Sequence, residues 1–531
     1  MGSENERSFS STSSLVALAM TAVLVTLGVY VLEREGNLGW DDADYLARGL
    51  RLARLVRSEG AGALGLILKE RPKPPWMIGW VELTSLALGP GQFRAILVCA
   101  TVVPYGMLVL AAWSLGHRFG GEKGAALTSF AVVASPMGLL FGTKVMVETF
   151  MALWLLGSSF ALARLLTRPT HLRAAFLGLT WGLAALTKFT VVLFLAGPAA
   201  YALAHVWKHR KEVGPRLRTM TLCLALVGSA LVVAGPWYAK NFAATVKFAL
   251  FSAQFDRART GGATVERPAR WTRPIDQATQ LAGWPVLLVV PCVLLGRRGV
   301  KKTEPVDERD LEFTHFSRMT LLSLAIGAVV LLVPSYHDVR FLLPIWPSLA
   351  IVLAMGWCRA ARRVEPKVGG ALIASAATAM SVVVACNLVS LWGQPKTTTH
   401  WAASAILEDL AQRHHVKRMG NIGNGMNWNI CKINLMDEVR SNRGERLVHH
   451  DLSKLEAGAF ARFAKQLDAI IVLDRSAIDP DYLRAAPAMN RGYAAIETLS
   501  GAEWWEEELP RVGGSPPLRA FMRRRDLARR D

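Results

Sequence analysis

Three aspartates, Asp41, Asp42 and Asp44, stand in the stretch GNLGWDDADYLARG (36–49), directly after the first long apolar run of the chain. A carboxylate placed there can act as general base on a hydroxyl or an amine. Glu148 adds a further acid in GTKVMVETF, and cations stand at comparable places: Lys73 in ERPKPPW, Lys188 in LAALTKFT, and His337 with Arg340 in SYHDVRFLLP. Lysine and arginine hold phosphate, arginine as a two-pronged clamp. Positioned cations also stabilise the charge that develops on a phosphate as it leaves. One such charge at the end of a membrane span is often only a loop marker, but acids from two loops, with bases from the first of these and from two others on one side, point to a site. The chemistry they fit is group transfer from a lipid phosphate whose head group lies at the membrane surface.

The elements that must position these residues are membrane spans. The 531 residues are 52% hydrophobic and 19% charged, well below the usual quarter for charged residues. Apolar runs at 15–32, 93–115, 124–142, 149–166, 172–188, 189–207, 219–238, 281–296, 317–334, 340–357 and 369–392 approach or reach the length that crosses a bilayer. This is a polytopic α-helical membrane protein with about eleven transmembrane helices. The net charge of +20 is concentrated between the runs, as in WKHRKEVGPRLR, GRRGVKK and CRAARRVEPK. That is the positive-inside pattern of cytoplasmic loops, and no compact basic-aromatic module for nucleic acid is present. The six cysteines show no CxxC or Cys/His ligand spacing, which argues against a disulfide framework or structural zinc. The first run follows MGSENERSFSSTSS, without a basic leader region or cleavage site, and reads as a retained span.

With residues 1–14 as a cytoplasmic tail, the connections 116–123, 167–171, 208–218, 297–316 and 358–368 are cytoplasmic and carry the basic residues. The outer side receives loops 33–92 and 239–280, short turns near 143–148 and 335–340, and the region 393–531. PPWMIGWVELTSLALG (74–89) is short, opens on two prolines and contains Glu82, so it reads as an interfacial or re-entrant helix with Trp76 and Trp80 at headgroup level. Arg48, Arg51, Arg54 and Arg57 recur beside Leu46, Leu50 and Leu52 on a helix that either lies on the membrane surface or presents a solvated face. In 393–531 polar helical stretches alternate with short apolar runs such as VKRMGNIG and LDAIIVLD, the pattern of a small soluble α/β domain. GNIGNGMN lacks a phosphate-binding fingerprint, and His414-His415 and His449-His450 are poorly placed for a metal.

Six stretches, in order over about residues 15–392, resemble the GT-C membrane glycosyltransferases, in the branch of protein O-mannosyltransferases and aminoarabinose transferases. DDADY resembles the family's Asp-Glu-x-x-Tyr element, and KPPW its Lys-Pro-Pro element. SPMGLLFGTKVMVETFMALW resembles its Ser-Pro and acidic stretch, and GLTWGLAALTKFTVVLFL its Gly-Leu and Thr-Lys stretch. GPWYAKN and HDVRFLLPIWPSLAIVLA resemble its Pro-Trp-Tyr and Arg-Tyr-x-x-Pro elements.

The resemblance implies roles. Asp41 takes the place of the catalytic aspartate that activates or orients the acceptor, and Glu148 that of a second acid. Lys73, Lys188 and Arg340, with His337, match positions near the donor phosphate. Asp42 stands where the family has Glu; it and Tyr45 are candidates for contacting a metal or the acceptor. Some GT-C enzymes use a divalent ion such as Mg or Mn and others do not, and the sequence leaves both open. The implied activity is inverting transfer of a sugar from a polyprenyl-phosphate (undecaprenyl) donor to a lipid, glycan or protein acceptor, at the periplasmic face of a bacterial inner membrane. Residues 393–531 then either help bind the acceptor or serve as a structural cap. The competing reading is a transporter or flippase of a lipid-linked or anionic substrate. It expects charges near the bilayer midplane and related halves, rather than one charged surface with long loops.

Overall fold

The computed structural model of the chain describes residues 3–33, 40–69, 73–89, 91–209, 216–262, 307–332, 339–362 and 364–393, together with Leu281 and short segments beyond residue 393. Its described helices are α1 Ser3–Glu33, α2 Trp40–Glu59, α3 Trp76–Leu88, α4 Phe93–Val133, α5 Pro136–Gly142 and α6 Val147–Thr167. They continue with α7 His171–Thr187, α8 Val191–Lys208, α9 Arg216–Gly262, α10 Glu308–Leu332, α11 Trp346–Ala361 and α12 Pro366–Gly393. Turns of 3-10 helix cover Ala61–Lys69 and Val339–Ile345. Among the described residues seven helical stretches are long and apolar enough to cross a membrane; they lie in α1, α4, α6, α8, α9 and α12, and in α11 with the turn before it. Of the remaining expected spans, 172–188 corresponds to α7 and 317–334 to α10, while 281–296 lies outside the described residues apart from Leu281.

Two expectations about boundaries are corrected. The run 124–142 is not one span: α4 ends at Val133, and a new helix begins after Ser135. The Ser135 hydroxyl accepts from the Gly138 N–H at 2.9 Å, and Pro136 fills the first turn, where its missing N–H costs no hydrogen bond. The same hydroxyl donates to the Leu281 carbonyl, tying this break to a residue far along the chain. The outer loop 239–280 is helical at its start, because α9 continues to Gly262.

Inside α4 the chain doubles back at Gly121, whose φ of 66° is in the left-handed region open to glycine. Gly116 and Gly124 meet across the bend. A Cβ on Gly116 would lie 2.7 Å from the Gly124 carbonyl oxygen, whereas eight residues of straight helix would separate them by about 12 Å.

The ends expected on the cytoplasmic side are gathered by acids at the start of α10. Arg118 reaches Glu312 at 2.7 Å, Arg164 reaches it at 3.6 Å, Arg168 reaches Glu308 at 2.6 Å, and Arg359 reaches Asp310 at 2.8 Å. Glu312 is fully buried between its two arginines, so removing either leaves a carboxylate inside with one partner fewer.

α7 and α9 pack closely because Gly178 and Gly182 present no side chain. A Cβ at Gly178 would run into the Leu226 carbonyl oxygen and the Ser229 hydroxyl, and one at Gly182 would lie 2.8 Å from Val233 Cβ. Small residues give membrane helices this close approach. Gly178→Ala is therefore expected to cost about 1–3 kcal/mol through overpacking and to lower the thermal midpoint of the detergent-solubilised protein. Gly228→Ala on α9 meets nothing within 4 Å and is expected to leave it unchanged.

In the first outer loop, Leu46, Leu50 and Leu52 of α2 are buried, and α2 packs on α3. The Arg57 guanidinium donates to the Ser85 carbonyl. This apolar face is covered by protein, so the reading of α2 as a helix lying on the membrane by that face is corrected to one of a helix docked on α3. Trp76 and Trp80 also make contacts within the protein. Their rings pack edge-on to Phe150 of α6, and Trp80 Nε1 donates to the Cys99 carbonyl of α4, so α3 is pinned between helices by its indoles.

Beyond residue 393 the described strands are β1 Arg418–Ile422, β2 Val448–Asp451, β3 Ala469–Leu473, β4 Trp504–Glu508 and β5 Leu518–Arg523. They form one mixed sheet of order β2-β1-β3-β5-β4, parallel from β2 to β3 and antiparallel from β3 to β4. β1 and β3 fall within the two apolar runs expected to be strands. Ala469, Ile470, Ile471 and Val472 are all fully buried, as in a central strand covered on both faces. GNGMN, His414-His415 and the polar helical stretches lie outside the described residues; His449 and His450 fall on β2.

Candidate active site

Trp40–Glu59 begins with its acids in the first turn, where the exposed N–H groups of a helix favour negative charge. On that helix Asp41, Asp44, Tyr45 and Arg48 follow the i, i+3, i+4, i+7 spacing of one face. Lys73 comes to this face from the far end of the loop. Its Nζ lies 2.7 Å from Asp41 Oδ1, 3.0 Å from Asp44 Oδ2 and 4.6 Å from the centre of the Tyr45 ring. Pro74 and Pro75 follow at once, and Pro75 precedes the first turn of α3, so the backbone behind Lys73 is restricted in φ. Arg48 completes the face by bonding Asp44 at 2.9 Å.

A second pair stands beside the first. Glu148 lies in the first turn of α6, after the extended Met146, and Lys188 is the residue that ends α7. Lys188 Nζ donates to Glu148 Oε1 at 2.8 Å. Glu148 is buried, and its Oε2 has no hydrogen-bond partner among the described residues.

The two pairs meet electrostatically at Tyr45. Burial pushes the Tyr45 hydroxyl far above its ordinary range; Lys73 opposes this, while Asp41, Glu148 and Asp44 reinforce it. Tyr45 therefore stays a neutral phenol and a hydrogen-bond donor at any physiological pH. For Lys73, burial is the largest single influence and favours loss of the proton, while the Asp41 and Asp44 carboxylates favour keeping it, and its pKa is raised. It remains an ammonium ion across the working range.

Exposure sorts the acids. The Asp41 side chain is 43% exposed, against 14% for Asp44 and 2% for Glu148, and Asp42 is also buried. Asp41 is thus the most exposed carboxylate of this group, while Glu148 holds Lys188. Asp42, next to Asp41 in sequence, turns about 100° around the helix and away from this face.

The structure brings together Asp41, Tyr45, Lys73, Glu148 and Lys188 from the sequence reading. Arg340 lies in the turn Val339–Ile345, which packs against α6, but its side chain and the whole of His337 are outside the described residues. Asp44 is a half-buried partner of both Lys73 and Arg48. The helical spacing of 41, 44, 45 and 48 carried that signal. As for a divalent ion, among the described residues no three His, Cys, Asp or Glu side chains converge to hold one. Lys73 already neutralises the gap between Asp41 and Asp44, so this donor set does not fit a metal.

Residues 73–232 match the family model described as dolichyl-phosphate-mannose-protein mannosyltransferase. No curated protein sequence matches the chain. Among solved structures, the chain is similar to ArnT from Cupriavidus metallidurans bound to undecaprenyl phosphate, with 14% identity, 96% of this chain and 98% of that chain covered, and a TM-score of 0.61. The apo state of the same protein gives the same figures. A looser likeness, with a TM-score of 0.43 and 12% identity over 85% of this chain and 68% of that one, is to the Archaeoglobus fulgidus oligosaccharyltransferase crystallised with Zn and sulfate. The matched family segment contains Lys73, Glu148 and Lys188, and the ArnT fold extends over almost the whole chain. The GT-C resemblance read from the motifs is borne out.

Proposed function

We propose that this chain, a GT-C membrane glycosyltransferase of the polyprenyl-phosphate-sugar-dependent class, moves its sugar with inversion onto an acceptor at the periplasmic face of a bacterial inner membrane. One observation carries the reading: a half-exposed carboxylate, Asp41, shares its face with the Lys73 ammonium, and the Glu148–Lys188 pair bears electrostatically on Tyr45 of that same face. The acceptor hydroxyl or amine approaches Asp41, which takes its proton. Its oxygen or nitrogen bonds to the anomeric carbon from the face opposite the phosphate. The bond from that carbon to the phosphate oxygen breaks, and the pair leaves on the lipid phosphate. Lys73 and Lys188 meet the charge growing on that oxygen, and the family resemblance adds Arg340 and His337 to this role. One base and a phosphate leaving group suffice, unlike the paired carboxylates of most glycosidases.

The lipid bound to the similar ArnT structure supports a polyprenyl phosphate as the leaving group. The ion pairs at the start of α10 gather the basic loops at one end, which supports a periplasmic location for the opposite, Asp41-bearing end. In this scheme residues 393–531, which carry the five-stranded sheet, lie on the periplasmic side and either help bind the acceptor or cap the structure.

The acceptor is tested by mass spectrometry of envelope lipids, glycans and proteins from cells with and without this gene. The expected result is one component lacking a single sugar mass in the deleted strain. Identical components, with lipid-linked sugar redistributed between leaflets, would favour transport instead.

A further inference from the structure

The motif GPWYAKN lies on α9, outside the group of charges just described, and nothing in the proposed reaction uses it. Its side chains nevertheless reach the segment that carries Lys188 and the turn that precedes Lys73. Tyr238 Oη donates to the Ala185 carbonyl at 2.8 Å, three residues before Lys188. One turn later the Phe242 ring packs at 6.4 Å, edge to face, on Phe189, the residue directly after Lys188. α9 therefore grips the Lys188 turn on both sides. Asn241 is fully buried, and its Nδ2 donates to the Leu68 carbonyl at 2.8 Å and to the Trp237 carbonyl at 3.0 Å. Leu68 belongs to the 3-10 turn Ala61–Lys69, which ends four residues before Lys73. The neighbouring Ile67 lies against Gly79 of α3, the helix that starts just after Lys73. Trp237, almost wholly buried, anchors this stretch of α9.

We infer that Tyr238 and Asn241 are positioning residues that fix Lys188 and Lys73 relative to each other, so that both ammonium groups meet one phosphate. This rests on the donor-phosphate reading of the two lysines. A phosphate held by two cations on separate loops is sensitive to their spacing, since a displacement of about 1 Å in a binding group lowers rates by up to about a hundredfold. Backbone carbonyls held by a rigid helix supply that spacing without placing another charge in the site.

The test measures binding of undecaprenyl phosphate to the purified full-length chain in detergent, beside its thermal midpoint. The variants are Tyr238→Phe, Lys188→Met, the pair combined, and Ser229→Ala. Ser229 donates to the Ala175 carbonyl at 2.9 Å, so its loss removes a bond of the same kind between α9 and α7, away from the lysines. Positioning predicts that Tyr238→Phe weakens binding about tenfold, that Ser229→Ala leaves it unchanged, and that the double variant binds no worse than Lys188→Met, because coupled residues are non-additive. Asn241→Leu is expected to weaken binding alike, and Asn241→Gln to recover part of it. Unchanged binding in Tyr238→Phe, or losses that multiply in the double variant, overturns the inference. Unchanged binding in Lys188→Met would instead overturn the donor-phosphate reading beneath it.

Discussion

Asp41→Asn is expected to lower sugar transfer by about two to four orders of magnitude, the usual worth of a positioned general base. Binding of undecaprenyl phosphate should stay within about threefold, a difference of well under 1 kcal/mol. The split follows from the geometry. Asparagine keeps the shape of the side chain but accepts no proton, while Lys73 retains its contact with Asp44 at 3.0 Å and so stays in place. Asp44→Asn is the matched control: it removes a charge from the same face but not the accessible acid, and its effect on turnover should be much smaller. Paired measurements of turnover and lipid binding on the two variants check this. Equal losses in both would mean that the acids act only by holding Lys73.

Lys73→Met is expected to act on binding. A charge-assisted hydrogen bond contributes about 1.5–3 kcal/mol net, so the affinity for undecaprenyl phosphate should fall by about 10- to 150-fold. The protein should still fold, because Asp44 keeps Arg48 and Asp41 is open to solvent. Lys73→Arg restores the charge but not the compact tetrahedral donor, and its planar head does not fit between two carboxylates and the Tyr45 ring without shifting them. It should recover only part of the affinity. Full affinity in Lys73→Met, measured by lipid titration, would remove Lys73 from the donor site.

Much of the fold was legible because membrane spans announce themselves by length and apolarity. What failed were the places where short-range chemistry overrides that signal. Ser135 and Pro136 start a helix inside a run that hydropathy reads as continuous, whereas the bend of α4 at Gly121 falls within the connection 116–123 that separates two expected spans. The packing of Trp76 and Trp80 on Phe150 was not readable, since Phe150 comes from another helix. At the site, Asp41, Lys73, Glu148 and Lys188 are each legible from a separate motif. Which lysine pairs with which acid was not readable, since the pairing depends on how α2, α6 and α7 are brought together. Asp44 and the α9 residues Tyr238 and Asn241 escaped because their partners are a lysine from the far end of the loop and backbone carbonyls, which leave no trace in residue type.

The central claim is that the site breaks the bond between sugar and lipid phosphate. It is tested most directly by reconstituting the full-length chain in vesicles with envelope lipids that contain polyprenyl-phosphate-linked sugar and the acceptor fraction. Free polyprenyl phosphate is then measured over time, beside the same vesicles carrying Asp41→Asn. The predicted result is release of polyprenyl phosphate, matched by sugar on the acceptor, with the native chain, and almost none with Asp41→Asn. Intact lipid-linked sugar crossing between leaflets without any release of polyprenyl phosphate would contradict it.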